Sequence, residues 1–188
     1  MTSVSPKRPR DAAATRAAIL ASAHALFTAS GYDGVGVREI ASGAGVTAML
    51  VNRYFGSKEQ LFAEVVDTAF APRTVVGADS HGTAVALAAR TAPGAEHLDP
   101  FLLMLRSASN PRAAEIMRAA TIKHVGADLL ARLDGPDADA RTELALGLIA
   151  GTWLMRKVIG TPALSMMSDT ALAEHLEGLF ALLYSPDQ

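Results

Sequence analysis

Between Arg38 and Lys58 the chain collects residues whose chemistry suits a polyanion: Arg38, Arg53 and Lys58 carry positive charge, and Thr47, Asn52 and Tyr54 carry hydrogen-bonding groups. Their spacing sorts them by face. Val51 and Phe55, four apart, share an inward stripe, which leaves Ala48, Asn52, Arg53 and Tyr54 turned toward a partner. Phosphates suit Arg38, Arg53, Tyr54 and Lys58, with Thr47 adding a contact to a phosphodiester backbone. Base edges suit Ala48, Leu50 and Asn52, with help from Arg38, because a carboxamide pairs with adenine and a small apolar side chain touches a thymine methyl. Lys58 falls in the first turn of a helix, where the dipole disfavours a cation, and an anion outside the protein explains it.

The elements that must hold these side chains read directly from the same stretch. A short helix runs from Arg38 to Ala44 with Ile40 and Ala41 inward, and Gly45 supplies the left-handed backbone of a tight interhelical turn. Val46 plugs the joint, the Thr47 hydroxyl is expected to cap a second short helix, and Ser57 opens a third. That order is a helix-turn-helix.

The stretch resembles the DNA-binding domain of the tetracycline-repressor (TetR) family of bacterial regulators. The family's opening helix, R-x-x-I-L-x-A-A-x-x-L-F-x-x-x-G-Y, is matched by Arg16, Ile19, Leu20, Ala23, Leu26, Phe27, Gly31 and Tyr32; its later elements appear as Ile40 to Thr47 and Phe55 to Leu61. Three positions depart from the pattern. Gly36 stands where a Thr or Ser cap is usual, Met49 where Gly is common and Asn52 where Tyr is common, so the operator sequence does not carry over. The resemblance implies an all-α fold, a homodimer joined by two helices from each subunit, and induction by a small molecule.

Charge divides the chain in the same way. Residues 1–58 hold seven basic groups against three acidic ones, a net +4, whereas residues 59–188 hold ten against sixteen, a net −6. One module meets phosphates and the other meets something else. With 188 residues, half of them apolar, the chain can bury a sizeable core but holds no more than about two modules. It has no cysteine, which removes disulfides, thiolate zinc sites and thiol catalysis and fits a reducing cytoplasm. The first ten residues lack the apolar core of a signal peptide, and the richest apolar run, Leu144 to Ile159, is broken by Gly147, Gly151, Arg156 and Lys157. No membrane partner is expected. Nor is an enzyme: of His24, His81, His97, His124 and His175 only His175, beside Glu174 and Glu177, has a partner at metal-pair spacing, and that group reads as a wet surface; neither a phosphate-binding glycine loop nor a serine nucleophile elbow is present. No cofactor or metal is expected.

The chain beyond the motif reads as helices separated by proline and glycine. The helix opened by Ser57 turns Leu61, Val65 and Thr68 to one face and stops before Pro72. Further helices are expected near Gly82 to Arg90, from Pro100 to about Ser107 behind an Asp99 cap, and from Pro111 to about Leu133 behind an Asn110 cap. Asp137 should cap a long helix ending near Gly160, and Ser168 or Asp169 a last one reaching Tyr184. The expected architecture is all-α with about nine helices: a basic arm over 1–10, disordered until it meets a partner, a helix-turn-helix domain over 11–56, and a helical ligand-binding and dimerisation domain over 57–188.

Two groups of residues in the last domain carry expectations. Leu144, Gly147, Leu148, Gly151 and Met155, with Leu172, Leu176, Leu179 and Phe180 from the final helix, are expected at a dimer interface, with the two glycines allowing a close approach of helices. Phe101, Met104, Leu105, Met117, His124 and Trp153 are adaptable or aromatic residues from separate helices and are expected to line a ligand pocket, with Arg106 and Lys123 as further polar handles. The whole reads as a cytoplasmic, homodimeric repressor of a palindromic operator, released by a small lipophilic effector. The alternatives are a DNA-binding regulator that senses no small molecule and an activator.

Overall fold

The computed structural model describes residues 9–71, 76–92, 100–133 and 135–185. Among them are ten helices and no strand: α1 (Pro9–Ser30), α2 (Val37–Gly43), α3 (Ala48–Phe55), α4 (Lys58–Phe70), α5 (Ser80–Thr91), α6 (Pro100–Ser107), α7 (111–130), α8 (138–159), α9 (Pro162–Met166) and α10 (Asp169–Tyr184). The all-α expectation holds. The helix not foreseen is α9, a single turn begun by Pro162. Both long helices α7 and α8 contain a wider π-helical turn, at Ile122–Gly126 and Leu154–Ile159. Residues 1–8 of the expected basic arm, and most of the loop before α6 with the Asp99 cap, lie outside the described residues.

The helices group into two compact units, one comprising the described residues up to Thr68 with Leu102–Met117, the other Ala69–Phe101 and Arg118 onward. Residues 58–68 and 102–117, which the sequence groups with the second domain, therefore pack in the first unit. Its buried residues include Ile19, Ala23 and Phe27 of α1 and Leu61, Phe62, Val65 and Val66 of α4. Thr68 is exposed, so α4 buries a broader face than the Leu61–Val65–Thr68 stripe. Phe62 sits edge-on to Phe27 and Tyr32, with ring centroids 5.1 and 4.9 Å apart.

The added segment is fixed by specific polar contacts. Arg106 donates from Nη1 to the carbonyls of Thr28 (2.8 Å) and Ala29 (2.6 Å), supplying donors that the last turn of α1 lacks. It is thus committed to a helix end rather than serving as a pocket handle. The Tyr32 N–H donates to Ser107 Oγ at 3.1 Å, Asn110 Nδ2 to Asp33 at 2.8 Å, and Arg112 reaches Glu59 at 3.4 Å. Gly31 lies under this segment at φ 71°, and a Cβ there would sit 2.2 Å from the Arg106 carbonyl oxygen. Only glycine fits.

In the second unit α5 and α10 pack along each other, and Leu87, Ala88, Leu129, Ile149, Leu172, Leu176 and Phe180 fill the core. Several caps form as the sequence suggests: Asn110 accepts from Arg112 N and Ala113 N, Ser57 from Gln60 N and Ser168 from Ala171 N; Asp79, not foreseen, caps α5 by accepting from Gly82 N. Asp137 does not cap α8. It adopts a left-handed backbone (φ 57°), and its side chain makes no capping bond. Buried Arg156 organises the far end of α8, donating to the carbonyls of Ala88, Leu164 and Met167, to Thr91 Oγ1 and to Asp169.

Candidate nucleic-acid interface

Helix α3 is held from behind. Val51 and Phe55 are buried, and the Arg16 guanidinium covers the Phe55 ring at 4.7 Å while pairing with Glu64 of α4. The turn from α2 closes through Val46 N–H to the Ala41 carbonyl at 2.9 Å, around Gly45 at φ 66°. Space does not require a glycine at 45, since a Cβ would meet nothing within 4 Å; the backbone angle does. Ser22 of α1 ties in α2 by donating to the Ile40 carbonyl at 2.9 Å. At the start of α2, Gly36 has no side chain to cap with, and Glu39 reaches back to its N–H at 2.7 Å.

With its back fixed, α3 turns a defined face outward. Arg38, Thr47, Asn52 and Arg53 are exposed, and Ala48, Leu50, Tyr54 and Lys58 are half-buried. No described residue pairs with the side chains of Arg38, Asn52 or Arg53. The expected Thr47 cap is not made: its carbonyl accepts from Leu50 and Val51, but its hydroxyl makes no capping bond and stays at the surface. That leaves an alcohol and the N–H groups of Ala48 and Met49 outside the helix's own hydrogen bonds, an arrangement that favours an anion. Met49, which sequence reasoning noted but assigned no role, is 80% exposed on the same turn.

Lys58 is positioned by an aromatic ring. Its ammonium lies 4.3 Å from the centroid of Tyr32, whose phenol is pushed above its ordinary pKa by burial, with Glu59 and Asp33 adding to the effect. The ring therefore stays neutral and its face attracts the cation. Arg16 and the clamp of Arg106, Ser107 and Arg112 were assigned no such roles in the sequence, because partners 48 to 78 residues apart leave no local pattern.

The other expected site residues divide between the units. Phe101 stacks on Trp153 with centroids 5.2 Å apart in the second unit, where His124 is half-buried in the π-turn of α7. Met104, Leu105 and Met117 belong to the first unit, Met117 buried and Leu105 half-exposed. Of the residues expected at a dimer seam, Leu172, Leu176 and Phe180 are instead buried within their own unit, because α10 turns that stripe onto α5. Leu144 (62% exposed), Met155 and Leu179 remain at the surface with Gly147, and Leu148 and Gly151 are half-buried. Val158 and Leu182 are exposed as well.

An anchored recognition helix with an outward basic and polar face defines the helix-turn-helix class of nucleic-acid-binding proteins. Two family profiles agree: bacterial regulatory proteins of the tetR family match residues 19–65, and the tetracyclin repressor-like C-terminal domain matches residues 79–181. The chain belongs to the TetR family of DNA-binding transcription regulators. No curated protein matches it. Among solved structures it is similar to a TetR-family regulator from Streptomyces coelicolor, with 23% identity, TM-score 0.57 and coverage of 96% of this chain and 99% of that one. It is also similar to the multidrug binding protein EbrR complexed with proflavin (18%, TM-score 0.61, covering 90% and 99%). A third is AibR in complex with isovaleryl coenzyme A and operator DNA (17%, TM-score 0.60, covering 88% and 97%). At these identities the likeness is one of fold.

Proposed function

We propose that this chain is a cytoplasmic, homodimeric repressor that binds a palindromic operator and is released by a small lipophilic effector. The observation that carries the reading is the outward face of α2 and α3, with Arg38, Asn52 and Arg53 exposed and unpaired among the described residues, over a back anchored by Val51 and Phe55. Arg38, Arg53, Tyr54 and Lys58 hold phosphates, Thr47 adds a contact to the DNA backbone, and Ala48, Leu50 and Asn52 meet base edges.

A second copy is the natural partner for the apolar surface of α8 and α10, since a two-fold dimer presents two reading heads to a two-fold operator. The interface then involves Leu144, Gly147, Leu148, Gly151, Met155 and Leu179. The effector is read from the aromatic pair Phe101 and Trp153, with His124 of α7 in the same unit, and from small molecules bound by similar folds, proflavin in EbrR and isovaleryl coenzyme A in AibR. Effector binding biases the spacing of the heads away from the roughly 34–36 Å that fits successive major grooves.

A gel shift with duplex DNA from upstream of its own gene tests the reading. Retarded complexes that persist against non-specific competitor are expected, and retardation abolished equally by any competitor DNA would overturn it.

A further inference from the structure

Met49 is the second residue of α3 and is 80% exposed. A surface methionine needs no explanation by itself. Its register supplies one: Val51 and Phe55 fix the buried side, and Asn52 and Arg53, three and four residues on, share a face with Met49. The first turn of a recognition helix is the part that reaches base edges. Within that turn Met49 brings a flexible, polarisable chain whose sulfur is only a weak acceptor. The major-groove edge offers one apolar group, the thymine 5-methyl.

We infer that Met49 packs on a thymine 5-methyl group beside an adenine read by Asn52, so that each operator half-site carries A·T pairs beneath the first turn of α3. The inference rests on α3 being the DNA-reading helix. Cβ atoms three residues apart on a helix are about 5–6 Å apart, and base pairs rise about 3.4 Å, so the two contacts fall one or two base pairs apart. A G·C pair at the Met49 position would bury polar edge atoms against a thioether without replacing their bonds to water, which selects against it.

The test uses the full-length protein and a random-core 30-base-pair duplex library. The recovered duplex is then remade with deoxyuridine replacing each thymidine in turn, which deletes only the methyl. Wild type should lose about fourfold in affinity per half-site at one thymine position, the effect of uncovering one methylene-sized group. Met49→Ala should bind the thymine duplex more weakly and be indifferent to that replacement, whereas Met49→Leu should keep the sensitivity. Circular dichroism of Met49→Ala should match wild type, since the side chain is at the surface. Tight, sequence-selective binding by wild type that ignores every uracil would overturn the inference and leave the DNA-reading role standing. Sensitivity that survives in Met49→Ala would also overturn it. If the library yields no preferred duplex, the DNA-reading role falls, and the inference with it.

Discussion

The Lys58 ammonium stands 4.3 Å from the centroid of the Tyr32 ring. The ring takes no hydrogen bond from it, so a cation is held at the first turn of α4 with its donors available for a phosphate. Lys58→Ala should weaken binding to all duplexes alike and lower the slope of log affinity against log salt by about one unit. Titrations at several salt concentrations check this, and an unchanged slope would remove Lys58 from the interface. Asn52→Ala, in contrast, should change the preference among sequences.

Glycines on the exposed face of α8 separate protomer stability from assembly. A Cβ at Gly147 or Gly151 would meet nothing within 4 Å among the described residues. Gly151→Leu should therefore leave the folded protomer intact, with helix propensity improved by up to about 1 kcal/mol, while the added bulk prevents another helix from approaching. Sedimentation velocity should show loss of a dimer, and operator affinity should collapse as each half-site is bound alone. A wild type that sediments as a monomer at micromolar concentration would refute the dimer reading.

Trp153 is the chain's one tryptophan, is buried, and stacks on Phe101. A cognate effector should change its fluorescence over the same concentrations that release operator DNA. By reciprocity, operator should weaken effector binding by the same factor. Compounds that quench Trp153 but bind equally well with and without operator would favour a regulator that senses no small molecule.

Arg156 and Asp169 form an unequal pair, the arginine side chain 1% exposed and the aspartate side chain 50%. Most of the guanidinium's bonds go to backbone carbonyls rather than to the acid. Arg156→Met should cost on the order of 3 kcal/mol by stranding those buried acceptors. Asp169→Asn should cost about 1 kcal/mol or less, since a half-exposed charge gains little from its partner. Urea unfolding measures both, and equal losses would mean that the ion pair rather than the carbonyl network matters.

His81 Nδ1 lies 2.8 Å from Glu177, linking α5 to α10 at the surface. The hydrogen bond and charge of Glu177 raise the His81 pKa above its ordinary value. A raised folded pKa means that the contribution is fully present below the unfolded value of about 6.5 and is lost as pH rises through the folded value. Wild type should therefore exceed His81→Gln in unfolding midpoint at pH 5.5 and match it at pH 9. A constant difference across that range would indicate packing instead of charge.

The helix-turn-helix was legible because its signals are local. Gly45, Val51 and Phe55 sit in one short run, and each has the role its spacing implies. Capping was legible at Ser57 and at Asn110, whose Oδ1 caps while its Nδ2 is free to reach Asp33, and misread at Thr47, whose hydroxyl makes no capping bond, and at Asp137, which follows Gly135 in a left-handed backbone. The α10 stripe was misassigned because periodicity reports that Leu172, Leu176 and Phe180 share a face without saying whether a neighbour in the same chain or another copy covers it. Polar contacts such as Ser107 with Tyr32 are set by packing and leave no sequence pattern.

The debt of α1 to Arg106 bears on how portable the DNA-reading module is. A chimaera cut after Thr68 would carry all of α1 to α3 yet leave the Thr28 and Ala29 carbonyls and the Tyr32 amide without the donors and acceptor that residues 102–117 provide. Swapping specificity between regulators of this architecture is thus better done by exchanging side chains on α3 than by transplanting the amino-terminal segment, whose boundary in space is not its boundary in sequence.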